Sequence, residues 1–431
     1  MADRIPLTGD GERDLGAVAI VGLGYVGLPL AVTFADAGVP VVGIDVDRSK
    51  IEAIADGRSY IADVAEDDLA RLVREGRLRA TTDFAAAVDV GAVLVCLPTP
   101  LDENREPDLS IVRAGIADLA PHLRPGHLLV LESTTYPGTT REVVGPIVAA
   151  EGLEPGRDVH LAFSPERVDP GRTDWTTKTT PKVVGGLTEA CTAAAVALYE
   201  RAVDRVVAVS TPEAAEMTKL LENIFRSVNI ALVNELAMLC DRMGVDVWEV
   251  IDAAATKPFG FMRFLPGPGL GGHCIPVDPF YLAWRARRYD FWTEFIELAG
   301  KVNENMPRHC LHVIARALNQ EGRALNGARV LVCGVAYKPN VGDARESPAI
   351  KLMGLLLREG ARVRYHDPHV GYVPEHDLES TPLDPGECDV AVIVTDHDDL
   401  DLDALLDQAP VVVDLRNATR GRPSRARIER L

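Results

Sequence analysis

Short runs of consecutive apolar residues alternate with stretches of helical period along the first half of the chain. AVAIVGLG (17–24), VPVVGIDV (39–46), GAVLVCLP (91–98), GHLLVLEST (126–134) and DVHLAFSPE (158–166) read as strands buried on both faces. Helical patterns such as 26–37 and 110–119 lie between them. This rhythm predicts a parallel, doubly wound sheet. The pattern then changes. Thr211 is an N-cap candidate with Pro212 behind it, and the chain runs to Met243 without Pro or Gly before Gly244. Such a helix spans about 45 Å. Its apolar stripe is Met217, Leu220, Leu221, Ile224, Val228, Leu232 and Leu236. A helix of that length bridges domains or packs on a partner subunit, and a homodimer is expected. From residue 327 the first style returns. ARVLVCGVAY, ARVRYHDP, DVAVIVTD and PVVVDLRN read as strands, 347–358 as a helix, and the segment after Asn417 as an irregular basic tail.

The expected fold class is therefore α/β: two Rossmann-like doubly wound domains joined by a central helical region with one long helix. The expected boundaries are 1–210, 211–326 and 327–431. A chain of 431 residues is too long for one ordinary core. Between Ala17 and Ile44 only Asp36 is charged, which would also suit a membrane span. Five glycines and a strand–turn–helix–strand order favour a βαβ unit instead.

Charge narrows the partners. The formal net charge is −19, from 45 basic and 64 acidic residues, which argues against nucleic acid or an anionic membrane. The seven cysteines are dispersed, odd in number and without a CxxC pair. No disulfide framework and no metal site is expected, and a cytoplasmic location is. The N-terminal stretch has no basic-then-apolar signal pattern.

Candidate chemistry begins at VGLGYVG, where Gly22, Gly24 and Gly27 form the G-x-G-x-x-G turn between a strand and a helix. Gly22 permits the tight turn, Gly24 the approach of a pyrophosphate, and Gly27 close helix packing. Tyr25 and Val26 complete the turn. Asp45, closing the next strand, would accept from a ribose 2′-OH and repel a 2′-phosphate, so NAD is the expected cofactor. Lys50 is placed at its adenosine end. Thr99 in CLPTP, and Ser133 and Thr134 in LESTTYPG, stand at strand ends where such sheets bind ligands; capped turns would show the same hydroxyls.

Lys219 and Asn223 in MTKLLENIF are four residues apart, on one helix face. Together they can donate to a developing oxyanion, and a solvated lysine would show the same spacing. Glu166 in FSPERVDPG follows a strand end, suited to accepting a proton or to capping a turn. Cys274 sits in GPGLGGHCIPVDP, a loop of glycines and prolines that a packing cysteine does not need.

VGLGYVG, CLPTPL, LESTTYPGTT, SPERVDPG, MTKLLENIF, GPGLGGHCIPVDP and GVAYKPNVGDARESPA occur in one order along nearly the whole chain. That combination resembles the UDP-glucose/GDP-mannose dehydrogenase family. The resemblance implies an enzyme that oxidises C6 of a nucleotide sugar to a carboxylate with two NAD. Its implied parts are an NAD domain, a helical dimer region and a C-terminal nucleotide-sugar domain. It implies that Cys274 is the nucleophile, that Lys219 and Asn223 stabilise oxyanions, and that Asp278 with Thr134 orients the hydrolytic water. Glu166 is implied as the base, Lys338 as a substrate contact from the C-terminal domain, and Arg345 as a cofactor contact. Arg167, Arg263 and Gly271 complete the implied substrate set, Arg263 only as a stand-in for a lysine of that loop.

His273 before the cysteine, and IPVDPFYLAWRAR after it, resemble the branch acting on UDP-N-acetylhexosamines, especially UDP-N-acetylglucosamine. UDP-N-acetylmannosamine and UDP-glucose remain alternatives. A two-electron β-hydroxyacid dehydrogenase is the rival class, sharing a Rossmann domain and a Lys/Asn helix. A non-catalytic sensor of NAD and a nucleotide sugar would lack a use for so complete a catalytic set.

Overall fold

The computed structural model describes residues 16–61, 63–168, 174–272 and 275–431. The chain forms two compact units, Met1–Glu222 with Phe280–Asp290, and Asn223–Pro279 with Phe291–Leu431.

The N-terminal unit is built on β1 (Val18–Val21), β2 (Val41–Ile44), β3 (Leu78–Thr81), β4 (Ala92–Val95), β5 (Leu128–Leu131), β6 (His160–Phe163), β7 (Lys182–Gly186) and β8 (Val206–Val209). Their order is β3-β2-β1-β4-β5-β6-β7-β8. Winding runs outward from β1 to β3, then from β4 the other way. The gap between the ends of β1 and β4 is thus the switch point where such sheets take ligands. The five predicted strands are present because each is buried on both faces. Val18 and Ile20 face one core with Leu30 and Phe34, whereas Ala19 and Val21 face another with Val112 and Ile116.

Two features differ from the expectation. β7 runs antiparallel to β6, so the sheet is mixed. Three further strands, β3, β7 and β8, extend it. β3 and β8 are the edges; Arg79 breaks the apolar run of β3, whereas β8 is apolar throughout but only partly buried.

In the C-terminal unit β9 (Arg329–Cys333), β10 (Arg362–His366), β13 (Val390–Ile393), β14 (Val411–Asp414) and β15 (Arg427–Arg430) form a parallel sheet ordered β10-β9-β13-β14-β15. β11 (Tyr372–Val373) and β12 (Leu378–Glu379) make a separate antiparallel pair. The basic tail is therefore irregular only as far as residue 426. Arg427–Arg430 pairs in register with Val411–Asp414 as an edge strand, and the final carbonyl, of Leu431, accepts from Trp248 Nε1 at 3.2 Å. Charge on an edge strand suits its exposed side and guards against further pairing, which is why the composition resembled a loop.

The long helix runs Pro212–Met243. The Thr211 hydroxyl caps it, accepting from Ala214 N–H at 3.1 Å, and Gly244 ends it at φ +69°. Its predicted stripe divides between two faces. Leu220 and Ile224 are buried, whereas Met217, Leu221, Leu232 and Leu236 are exposed, with Phe225, Leu239 and Met243 extending that outer face. Among the described residues no helix is long and apolar enough to cross a membrane.

Candidate active site

At the end of β1, Gly22 has φ +92° and a Cβ there would lie 2.5 Å from the Cys96 carbonyl oxygen. A Cβ on Gly27 would collide with the Gly22 carbonyl, while one on Gly24 would meet nothing within 4 Å. The turn is thus pressed tightly against the sheet and open where Gly24 faces outward. The helix that follows, Gly27–Asp36, has no side-chain cap. Leu28 and Leu30 N–H already donate to the Gly24 and Val26 carbonyls and Pro29 has no N–H, so of the first four helical positions it is Gly27 that offers its amide to an anion. Asp45 is 8% exposed. Its oxygens accept from Leu23 N–H at 2.8 Å, Asp47 N–H at 3.0 Å and Lys50 Nζ at 2.9 Å. Lys50 is therefore a partner of Asp45. Tyr25 is half exposed, and Val26 is the helix N-cap.

The other strand ends are tied to one another. Thr99 Oγ1 donates to the Thr134 carbonyl at 2.8 Å. Ser133 Oγ donates to the Val95 carbonyl at 3.4 Å. Tyr281 OH donates to the Thr99 carbonyl at 3.0 Å. These bonds fix the β4 and β5 termini beside the switch point.

Glu166, just beyond β6, accepts with Oε1 from the N–H groups of Arg167 and Val168, both at 2.8 Å. Its Oε2 lies 3.3 Å from Lys182 Nζ. Burial pushes this carboxyl up, but Lys182, the Val168 N–H, Lys219 and the Arg167 N–H outweigh it and hold it below the ordinary range. Lys219, 8% exposed, donates Nζ to the Glu166 main-chain carbonyl at 2.6 Å. Arg167 turns away, pairing with Glu222 at 2.6 Å and donating to the Pro181 carbonyl.

In the C-terminal unit Asn223 Nδ2 donates to Asp278, which is 2% exposed at the start of the helix Asp278–Ala286. Asn234 Oδ1 accepts from Gly267 N–H at 2.9 Å, and Asn234 Nδ2 donates to Asn303 Oδ1 at 2.9 Å, anchoring the start of the glycine loop. A Cβ on Gly271 would lie 2.7 Å from Tyr337 Cβ, and Gly272 N–H donates to the Arg345 carbonyl at 3.2 Å. The loop is therefore seated on the segment that carries Lys338 and Arg345, and close backbone approach requires its glycines. His273 and Cys274 lie outside the described residues. The Arg345 side chain pairs with Asp343 at 2.8 Å. Arg263 pairs with Asp252 at 2.7 Å on the surface.

Sequence reasoning gave no role to several buried charges. Glu132 and Lys182 form an ion pair at 2.6 Å inside the N-terminal unit. Glu216 accepts from Gly138 N–H, Thr140 N–H and the Thr140 hydroxyl, and burial pushes its carboxyl up to about 7. Arg416, past β14, donates Nε to the Val394 carbonyl at 2.7 Å, and its guanidinium lies against Gly267. A charged residue opening an apolar strand, as in Pro181–Gly186, is the one signal that could have flagged Lys182. Among the described residues His369, His397 and Asp399 are grouped closely enough to suggest a metal. His397 spends both nitrogens, however: Nδ1 accepts from Asn340 N–H at 2.9 Å and Nε2 lies 3.1 Å from Asp367.

Comparison with known proteins gives this geometry its setting. The NAD binding domain of the UDP-glucose/GDP-mannose dehydrogenase family matches residues 16–203, the family's central domain 213–305, and its UDP binding domain 331–421. An NDP-N-acetyl-D-galactosaminuronic acid dehydrogenase of Ralstonia nicotianae is 36% identical over 423 residues, covering 94% of this chain and 96% of that protein. The chain belongs to the UDP-glucose/GDP-mannose dehydrogenase family. A UDP-N-acetyl-D-mannosamine dehydrogenase of Methanococcus maripaludis is 32% identical, covering 90% and 88%. The solved UDP-D-ManNAc dehydrogenase of Pyrococcus horikoshii superposes with a TM-score of 0.87 at 32% identity, covering 96% of this chain and 98% of that one.

This member of the family is an NAD-dependent nucleotide-sugar dehydrogenase, and the β-hydroxyacid reading gives way to that class. The N-terminal unit fits NAD. Its turn is open only at Gly24, the helix amides behind the turn lack a side-chain cap, and a carboxylate closes β2.

Proposed function

We propose that this enzyme oxidises C6 of a UDP-N-acetylhexosamine from alcohol to carboxylate, with Cys274 holding the sugar between the two oxidations. UDP-N-acetylglucosamine is the substrate favoured by the His273–Cys274 loop and the residues after it. UDP-N-acetylmannosamine is the second reading, favoured by the relatives named for it. The observation that carries the proposal is family membership along the whole chain, with relatives named for N-acetylated hexosamine derivatives.

The turn Gly22–Gly27, Asp45, Lys50, Thr99 and Ser133 are assigned to the cofactor, with Arg345 as a further contact. Bound NAD would accept two electrons as hydride at each oxidation. The Cys274 thiolate would add to the C6 aldehyde as a thiohemiacetal, whose oxidation leaves a thioester. Lys219 and Asn223 donate to the C6 oxygen as charge develops on it. Glu166, held as an anion, takes the proton from water or hydroxyl, and Asp278 with Thr134 orients the water that releases the acid and the free thiol. Lys338 and Gly271 are assigned to the nucleotide sugar. The proposed division of labour follows 1–210, 211–326 and 327–431.

The working form is proposed to be a cytoplasmic homodimer. The supporting feature is the outer face of the long helix, where Leu221 is 64% and Met243 65% exposed. A row of apolar side chains this long on one helix suits a second copy of the chain.

A panel of UDP-GlcNAc, UDP-ManNAc, UDP-GalNAc, UDP-glucose and GDP-mannose, followed by NADH absorbance, tests the substrate. The expected result is a kcat/KM for one N-acetylhexosamine at least about tenfold above UDP-glucose, a difference of about 1.4 kcal/mol. UDP-glucose or GDP-mannose as the best substrate would overturn it.

A further inference from the structure

Four polar side chains from four separate places in the chain meet inside the N-terminal unit. Lys182 Nζ, at the start of β7, lies 2.6 Å from Glu132 beyond β5 and 3.3 Å from Glu166 beyond β6. Tyr199, at the end of the helix Glu189–Tyr199, donates its hydroxyl to the other oxygen of Glu132. Lys182 also stands 5.5 Å from the centre of the Tyr199 ring. The Glu132 and Lys182 side chains are 0% and 4% exposed, and Glu166 is 16% exposed. The group is thus sealed at Glu132 and open only at Glu166.

An ion pair this deep is a poor stability device. Desolvation of both partners offsets their attraction, and a well-packed apolar pair of the same volume does as well or better. Its arrangement has a direction, however. Glu132 has both oxygens used, one by Lys182 and one by Tyr199, so it is an anchor and not a site. Glu166 has Oε1 fixed by two backbone amides and Oε2 steered by Lys182. The main-chain carbonyl of the same residue holds Lys219.

We propose that Lys182 is a positioning residue, which holds the Glu166 carboxylate as an oriented anion, with Glu132 and Tyr199 as its counter-anchor. The proposal rests on the reading of Glu166 as the base of the reaction. Among the described residues the charged and titratable groups around Glu166 are Lys182, Lys219, Glu132 and Cys96; Arg167 is engaged with Glu222. Burial pushes the Cys96 thiol well up and so keeps it neutral, and Glu132 opposes ionisation of Glu166. Removing Lys182 therefore leaves Glu166 closer to protonation and less well aimed.

The test uses the full chain with NAD and the best sugar of the panel. Lys182→Met combined with Glu132→Gln replaces the ion pair by a neutral pair of similar shape. The wild type should give a kcat that is flat between pH 6 and 8, whereas the double variant, which loses the pull of Lys182 and also the weaker repulsion of Glu132, should lose at least about threefold of its kcat at pH 6 relative to pH 8. KM for NAD should stay within about twofold. Glu166→Gln serves as the reference. A loss of kcat of about a hundredfold or more at all pH values keeps the base reading. With that loss present, a flat profile in the double variant overturns the positioning role alone. Without it, the base reading fails and takes the proposal with it. Should the double variant not fold, isotope-edited infrared difference spectra of wild type against Glu166→Gln read the carboxylate directly. A Glu166 midpoint below the ordinary 4.5 is expected, and one above it contradicts the proposal.

Discussion

Asp45 closes β2 with its oxygens taken by Leu23 N–H, Asp47 N–H and Lys50. It serves two purposes in one place. It braces the glycine turn, and in the proposed cofactor site it would present negative charge to the adenosine ribose. A 2′-phosphate brought there would meet a buried carboxylate, and Lys50 beside it is already paired with that carboxylate. Asp45→Ser should therefore lower the kcat/KM ratio for NAD over NADP by at least about tenfold, about 1.4 kcal/mol. It should also cost stability, about 1–3 kcal/mol, for amides left without an acceptor. An unchanged cofactor ratio, measured on folded protein, would remove the carboxylate from the ribose.

The elements show what pattern alone reveals and where it stops. Strands with four consecutive buried residues, such as Val18–Val21 and Val390–Ile393, were legible because both faces are covered. The edges β3 and β15 were not, since solvent on one side mixes polar residues into them. The limits of the long helix were legible from its cap and its terminal glycine. Its stripe was not resolved into two faces, because a count of apolar positions carries no information on which neighbour covers each. The same limit applies to the site. Lys219 and Asn223 could be paired from a spacing of four. Glu132 and Lys182, fifty residues apart, meet only through the fold, as do Asn223 and Asp278; the role expected of Asp278 came from resemblance. At this scale the outer face of the helix makes a prediction. Leu232→Glu with Leu236→Glu should convert a dimer to monomer in sedimentation velocity at micromolar concentration. A dimer that persists would mean the contact lies elsewhere.

At the scale of the whole molecule, the two units have separate cores. In the C-terminal unit Asp367, fully buried beyond β10, accepts from the N–H groups of Val335 and Ala336 at 2.6 and 3.0 Å. Burial would raise its carboxyl, but His397 and these amides pull it down to about 2 from 3.8. The folded value lies below the unfolded one. Its contribution, about 2 kcal/mol, is therefore complete above pH 4 and lost as pH falls toward 2. Asp367→Asn should destabilise this unit by about that amount at neutral pH. It should also flatten its stability between pH 4 and 2 in urea titrations; an unchanged slope would show the pair is not the source.

The proposed chemistry draws on the whole chain, because the proposal assigns it cofactor, thiol and sugar together. The most direct test counts electrons: limiting UDP-N-acetylhexosamine is exhausted with excess NAD, and NADH is read against acid formed. Two NADH per sugar, with one uronic acid and no free aldehyde, is the expected result. One NADH per sugar, with an aldehyde as the end product, would contradict the four-electron reaction and the role given to Cys274.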